Sequence, residues 1–248
     1  MGLSSKYILK WVAEKKEGLP VFVAVPDVGL VSLLSAINIV NQLHLQVVGY
    51  VDAKWLPSVV SIFEGDPLPP VRLYSNEKLL VFVSEIPVEP ENWLSLSELV
   101  SSIYDDLKIP LILGATGISN PKRYSLDKLR LFVSCTNASL RERFLKDKTP
   151  YSGLLAGPYA AIMKSLKMED KNGLLLLVDS FPNYPDPEAA AVSSEIIGTI
   201  IGEKIDVSTL MEKASQIKLM ARKLAAETHR IHSEAAAKTG RPAVSFYV

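Results

Sequence analysis

Hydrophobic residues fall in short β-branched runs along most of this chain, and in wider helical spacings between them. Residues 21–25, Val-Phe-Val-Ala-Val, form an unbroken apolar run. A run of that kind suits a strand buried on both faces. It breaks at Pro26-Asp27 and leads into a helical pattern over residues 29–43. Residues 45–51 predict a second strand, 79–85 another buried strand, 94–107 a helix, and 111–113 a strand. Residues 59–63 and 71–74 flank the turn-rich segment 64–70 and predict a hairpin with a Pro-rich loop. Then come a strand at 129–134, a short helix at 138–144, a helix at 159–166 and a last buried strand at 174–178. Strands alternating with helices indicate an α/β fold: a mixed, mostly parallel sheet flanked by helices.

Two helices close the pattern. In Pro185-Asp186-Pro187-Glu188, Asp186 suits an N-cap, Pro187 the first helical position and Glu188 the positive end of the dipole. The second helix is predicted from near Asp206 to about Lys238, roughly 50 Å at 1.5 Å per residue. Leu210, Ala214, Ile217, Ala221, Leu224, Thr228, Ile231 and Ala235 recur along it at alternating spacings of four and three. That is a heptad seam. Its first half suits packing on the chain's own domain; the part past Leu224 suits a projecting arm or a contact with a second copy. The expected organisation is a core domain at 1–204, the long helix at 205–238 and a docking tail at 239–248.

Composition narrows the classes. The chain has 248 residues, 48% of them hydrophobic, enough for a sizeable core. Its 27 basic and 27 acidic residues balance, so nothing points to nucleic acid. No apolar run is long enough to span a bilayer, and the first residues lack a signal-peptide pattern, so a cytoplasmic protein is expected. The single cysteine, Cys135, excludes an internal disulfide framework and reads as a strand residue rather than a catalytic thiol.

Candidate chemistry is sparse. Gly114-Ala115-Thr116-Gly117 follows a strand and could cradle a phosphate, as could the turn Pro26-Asp27-Val28-Gly29. Neither carries the lysine of a Walker loop, and a tight turn is the simpler expectation for both. Glu85, at the end of an apolar strand, is the carboxylate best placed for an unusual environment; a hydrogen-bonded structural role is expected for it. His229 and His232 lie three apart on the last helix, but no third ligand accompanies them, so no metal is expected. The terminal tripeptide Phe246-Tyr247-Val248 follows a short linker containing Gly240 and Pro242. A terminal carboxylate beside a tyrosine ring makes a compact docking anchor, although residues 243–248 also suit a final strand.

Several stretches together resemble the proteasome assembly chaperone family, in its archaeal branch. They are Val25-Pro26-Asp27-Val28-Gly29, Ser84-Glu85-Ile86-Pro87, Leu113-Gly114-Ala115-Thr116-Gly117 and Gly153-Leu154-Leu155-Ala156-Gly157-Pro158. Most specific is Tyr184-Pro185-Asp186-Pro187-Glu188-Ala189-Ala190. The resemblance implies a fold like that of nucleoside phosphorylases, without an established catalytic site and without a cofactor. It also implies a homo-oligomer whose tails engage α subunits of the 20S proteasome, and it carries that docking role onto Phe246, Tyr247 and Val248. For self-association the seam residues Leu210, Ala214, Ile217, Ala221, Leu224 and Ile231 are the candidates. The competing reading is a nucleoside- or phosphate-binding enzyme of the phosphorylase type. An ATP-dependent carboxylate–amine ligase would need an acidic metal cluster and a basic triphosphate site, and the sequence displays neither.

Overall fold

A computed structural model describes residues 7–144 and 148–217. Nine strands make one sheet, ordered β1 (Tyr7–Trp11), β3 (Gln46–Ala53), β6 (Val71–Ser75), β7 (Leu80–Ser84), β2 (Val21–Ala24), β8 (Ile112–Ser119), β11 (Gly173–Ser180), β9 (Leu131–Cys135) and β10 (Thr149–Pro150). The centre is parallel: β2 pairs with β7 and β8, and β8 with β11. Antiparallel pairs β1–β3, β3–β6 and β6–β7 extend one side, and β9 runs antiparallel to β11 on the other. The sheet is mixed, as expected, but it is not mostly parallel: β10 pairs parallel with β9, and four of the eight pairings among the described residues run antiparallel, because β3, β6 and β7 follow one another as antiparallel neighbours.

The central strands alternate between two cores, because successive side chains of a strand point to opposite faces. Val21, Val23, Phe82, Leu175 and Leu177 meet α2 (Trp93–Asp106) and α4 (Pro158–Met168) on one face. Phe22, Ala24, Val81, Leu174 and Leu176 meet α1 (Val31–Gln42), α3 (Ala138–Phe144) and α5 (Pro187–Ile201) on the other. This explains the unbroken apolar runs: both faces are covered. Residues 208–217 are helical beyond α5.

Two further expectations are corrected, and a third difference is an element that the sequence pattern missed. The hairpin partner of 59–63 is not 71–74. β4 (Ser61–Phe63) turns at Glu64-Gly65 and pairs with β5 (Asp66–Leu68) in a separate two-stranded sheet. Residues 64 and 65 both take positive φ, 49° and 89°, which suits a two-residue hairpin turn. β6 is thereby released to join the main sheet. Second, Gly114–Gly117 is not a turn; it continues β8 to Ser119. Third, the edge strand β1 is a further element. Only alternate residues of it face inward, with Ile8 63% exposed, so it lacks the continuous apolar signal of the centre.

Candidate functional site

Open parallel sheets place ligand sites beyond the carboxyl ends of their strands, where neighbouring connections diverge. Here that point lies between β2 and β8. From β2 the chain leaves through α1 toward β3 on one side; from β8 it leaves toward β9 on the other. Asp27 follows β2 and Thr116 lies in β8, and the Thr116 hydroxyl donates to Asp27 Oδ2 at 2.6 Å. Burial pushes the Asp27 carboxyl upward from its ordinary range, against the Thr116 hydroxyl and the Val28 N–H, which favour the charged form. The half-buried Asp27 borders an open crevice of about 380 Å³ with Gly29, Asn183 and Tyr184.

This geometry answers the phosphate question. The two glycine segments singled out in the sequence meet, and they bring the Asp27 carboxyl to the crevice, a group whose charged form repels a phosphate. The glycines serve packing. A Cβ on Gly117 would fall 2.6 Å from the Val28 carbonyl oxygen and 2.6 Å from Ser180 Cβ. Gly29 holds φ 65° with Ser180 Oγ directly beneath it. Nearby, Ser32 Oγ donates to the Val25 carbonyl at 2.7 Å and the buried Tyr159 hydroxyl donates to the Val23 carbonyl at 3.1 Å. Burial raises the Tyr159 phenol well above its usual range, so it stays protonated.

Behind the crevice lies a polar cluster that the sequence pattern only half reveals. Asp186 caps α5 by accepting from Ala189 N–H at 3.1 Å, and also accepts from Phe181 N–H at 3.2 Å. Arg123 donates to both of its oxygens and to Glu188 Oε2 at 2.7 Å, while its guanidinium lies 5.0 Å from the Phe181 ring centroid. The Asp-Pro cap was legible; Arg123, some sixty residues earlier in a polar loop, carried no periodic signal. Asp179 is held in the same way by Arg130, at 2.8 Å to each oxygen, with the Arg130 backbone N–H and Asn120 adding a third and a fourth donor.

The remaining candidates are dispersed. Glu85 accepts from Arg72 and from Ser61, a hydrogen-bonded role. Cys135 lies half-buried at the end of β9, and burial pushes its thiol up to about 11, which disfavours a nucleophilic thiolate. Among the described residues no group of three or more His, Cys, Asp or Glu side chains is placed to hold a metal, and no helix is long and apolar enough to cross a membrane. Leu210 and Ala214 are buried in the chain's own domain, Leu210 clustering with Ala190, Ala191 and Leu34. Ile217 is half-buried. Ala221, Leu224, Ile231, His229, His232, Phe246, Tyr247 and Val248 lie outside the described residues.

The PAC2 family model matches residues 21–225. The chain belongs to the PAC2 family. The match spans the sheet from β2 onward, the Asp27 crevice and the Arg123–Asp186 cluster. The PAC2 fold recurs in Pyrococcus furiosus PbaA, described as an archaeal homolog of proteasome-assembly chaperone: 20% identity, TM-score 0.75, covering 93% of this chain and 97% of that one. It recurs in P. furiosus PbaB, described as an archaeal proteasome activator: 16% identity, TM-score 0.77, covering 89% and 99%. An uncharacterized protein of Methanocaldococcus jannaschii is 22% identical over 236 residues, covering 93% of this chain and 95% of its own. At these identities the structural likeness speaks for the fold. Within the PAC2 chain, the Pro-Asp-Pro signature thus has a structural meaning: it is a helix cap locked by a buried arginine.

Proposed function

We propose that this chain is an ATP-independent chaperone of 20S proteasome assembly. It binds proteasome α subunits through Phe246, Tyr247 and Val248 and presents several copies of that tail from a homo-oligomer. The observation that carries the reading is the near full-length likeness to PbaA and PbaB, both described in proteasome terms. The tail supports it: an apolar residue, a tyrosine and a terminal carboxylate supply a ring for a pocket and a charge for a basic group. A homo-oligomer would suit this role, since linking weak anchors raises avidity through effective concentration without new contacts. The polar groups at the carboxyl edge of the sheet fit this role, being committed to one another: Thr116 to Asp27, Arg123 to Asp186, Arg130 to Asp179. An assembly factor stabilises one arrangement of its partners, which calls for surface rather than a poised nucleophile.

The test mixes the purified chain with proteasome α and β subunits in a chelator, without nucleotide, and follows core-particle formation on native gels. Accelerated assembly that is lost on deleting Tyr247 and Val248 is the expected result. A strict requirement for ATP or a divalent ion contributed by this chain would overturn the reading. Nucleoside binding by calorimetry, abolished by Asp27→Asn, would favour the phosphorylase-type enzyme instead.

A further inference from the structure

The β4–β5 hairpin stands apart from the nine-stranded sheet and carries an unusual amount of exposed apolar surface. Val60 is 55% exposed, Ile62 72% and Phe63 65%. Scattered apolar residues on a surface need no explanation, but a cluster on one short segment marks an interaction site.

The hairpin's hydrogen bonding leaves one edge open. Phe63 and Asp66 flank the two-residue turn and form the hydrogen-bonded pair, so the next pair, Ile62 opposite Pro67, is not hydrogen-bonded. Proline is tolerated there because it lacks an N–H. It also blocks the outer edge of β5. On the other strand, the N–H and C=O of Ile62 point away from β5. The free edge of β4 therefore offers a donor and an acceptor at Ile62, flanked by the apolar Phe63 on one side and by Ser61 on the other.

Beside the hairpin runs a groove of about 580 Å³ whose opposite wall is Ile37 and Val40 of α1. Ile37 is itself 47% exposed. Arg72 and Glu85 lie at the polar end of this groove as an ion pair, so its charges cancel. Arg72 is only 5% exposed, and its Nη1 is buried without a hydrogen-bond partner among the described residues.

We propose that this groove takes an extended, uncharged apolar segment of a partner polypeptide, added as a strand on the free edge of β4. The segment's backbone pairs with Ile62. Its apolar side chains pack between Ile62, Phe63 and Ile37. Neutral charge follows from the Arg72–Glu85 pair, which leaves no net charge for a basic or acidic segment to meet. Main-chain pairing supplies affinity in this mode and the walls supply selectivity. The surface is separate from the tail, so it stands whether or not the tail docks.

The test uses the full chain, isotopically labelled, titrated with the blocked peptide acetyl-Val-Thr-Ile-Thr-Val-Thr-amide and read by amide NMR. The expected result is saturable binding with amide exchange at Ile62 slowed at least tenfold. Ile62→Pro removes the outward N–H at a site whose cross-strand neighbour is already proline, and should weaken binding at least tenfold. Ile37→Asp changes the opposite wall without touching the hairpin and should do the same. Leu154→Ser, on a distant loop where Leu154 is 99% exposed, should leave binding unchanged. Absent saturation, unprotected Ile62, or wild-type affinity in Ile37→Asp each overturns the proposal. Protection of Ile62 that rises with protein concentration in the absence of peptide overturns it in favour of a second copy as the occupant.

Discussion

Arg123 and Asp186 hold each other through two parallel hydrogen bonds, Nε to Oδ2 at 2.7 Å and Nη2 to Oδ1 at 2.9 Å, with both side chains 1% exposed. A bidentate pair of this kind fixes orientation as well as charge. Removing one member leaves the other charged and buried. Asp186→Ala also strips the cap of α5. We expect Arg123→Met to cost about 3–5 kcal/mol and Asp186→Ala at least as much. Urea unfolding followed by circular dichroism measures both. Losses under about 1 kcal/mol would mean that the cluster is not what anchors α5.

Gly117→Ala tests the packing role of the strand glycines. The added methyl meets backbone at Val28 on one side and Ser180 on the other, neither of which is a flexible chain end. A loss of about 2 kcal/mol is expected, in the range of overpacked cores. A phosphate cradle would predict little change in stability and a loss of phosphate affinity instead.

Two carboxylates give opposite pH signatures. Asp27 has a raised folded pKa, so the stability it lends is complete below the ordinary aspartate range and is lost as pH rises through the raised value. Asp27→Asn should therefore be more stable than the native chain at pH 7, with the two converging below about pH 3. Glu169 is the reverse. Lys171, then the Ser101 and Ser165 hydroxyls, hold its carboxyl down at about 2. Its contribution is present above the ordinary glutamate range and fades as pH falls toward about 2. Because its side chain is 43% exposed, screening keeps that effect small. Thermal melts across pH 2–8 on Asp27→Asn and Glu169→Gln separate the two signs.

How legible was this in the residues? The central strands β2, β7 and β11 announced themselves, because burial on both faces forces a continuous apolar run. α3 and the start of α5 were readable from periodicity and cap chemistry. What stayed hidden was anything set by distant contacts. Whether Gly114 and Gly117 turn or continue depends on Tyr159 and Ser180, which a local reading cannot see. The pairing of 61–63 with 66–68 rather than 71–74 is decided by the Glu64-Gly65 turn and by the vacancy that β3 and β7 leave for β6 between them. At the site, Asp27 and Thr116 were each noticed but not their meeting, since 89 residues separate them.

The heptad seam expected from the sequence divides into two tests. Leu210 packs on Ala190 and Ala191, so Leu210→Ala should destabilise the domain by about 2–4 kcal/mol. Leu224→Asp should instead leave the core melt unchanged and lower the mass seen by sedimentation. A stable monomer in the native chain at micromolar concentration counts heavily against self-association through this seam.

For the tail, Tyr247→Ala should weaken α-subunit binding by about 2 kcal/mol, the cost of a buried aromatic anchor. Surface plasmon resonance with immobilised α subunits reads it. Unchanged affinity would reject Tyr247 as the anchor.

The position of β2 has a consequence for synthesis. This strand, Val21–Ala24, leaves the ribosome well before both of its neighbours in the sheet, β7 at Leu80–Ser84 and β8 at Ile112–Ser119. At roughly 5–20 residues per second, the most apolar strand of the nascent chain waits several seconds for its first partner. Until then its backbone groups are an open template for any other unfinished strand. The centre of the finished sheet is thus the part of the growing polypeptide most in need of protection.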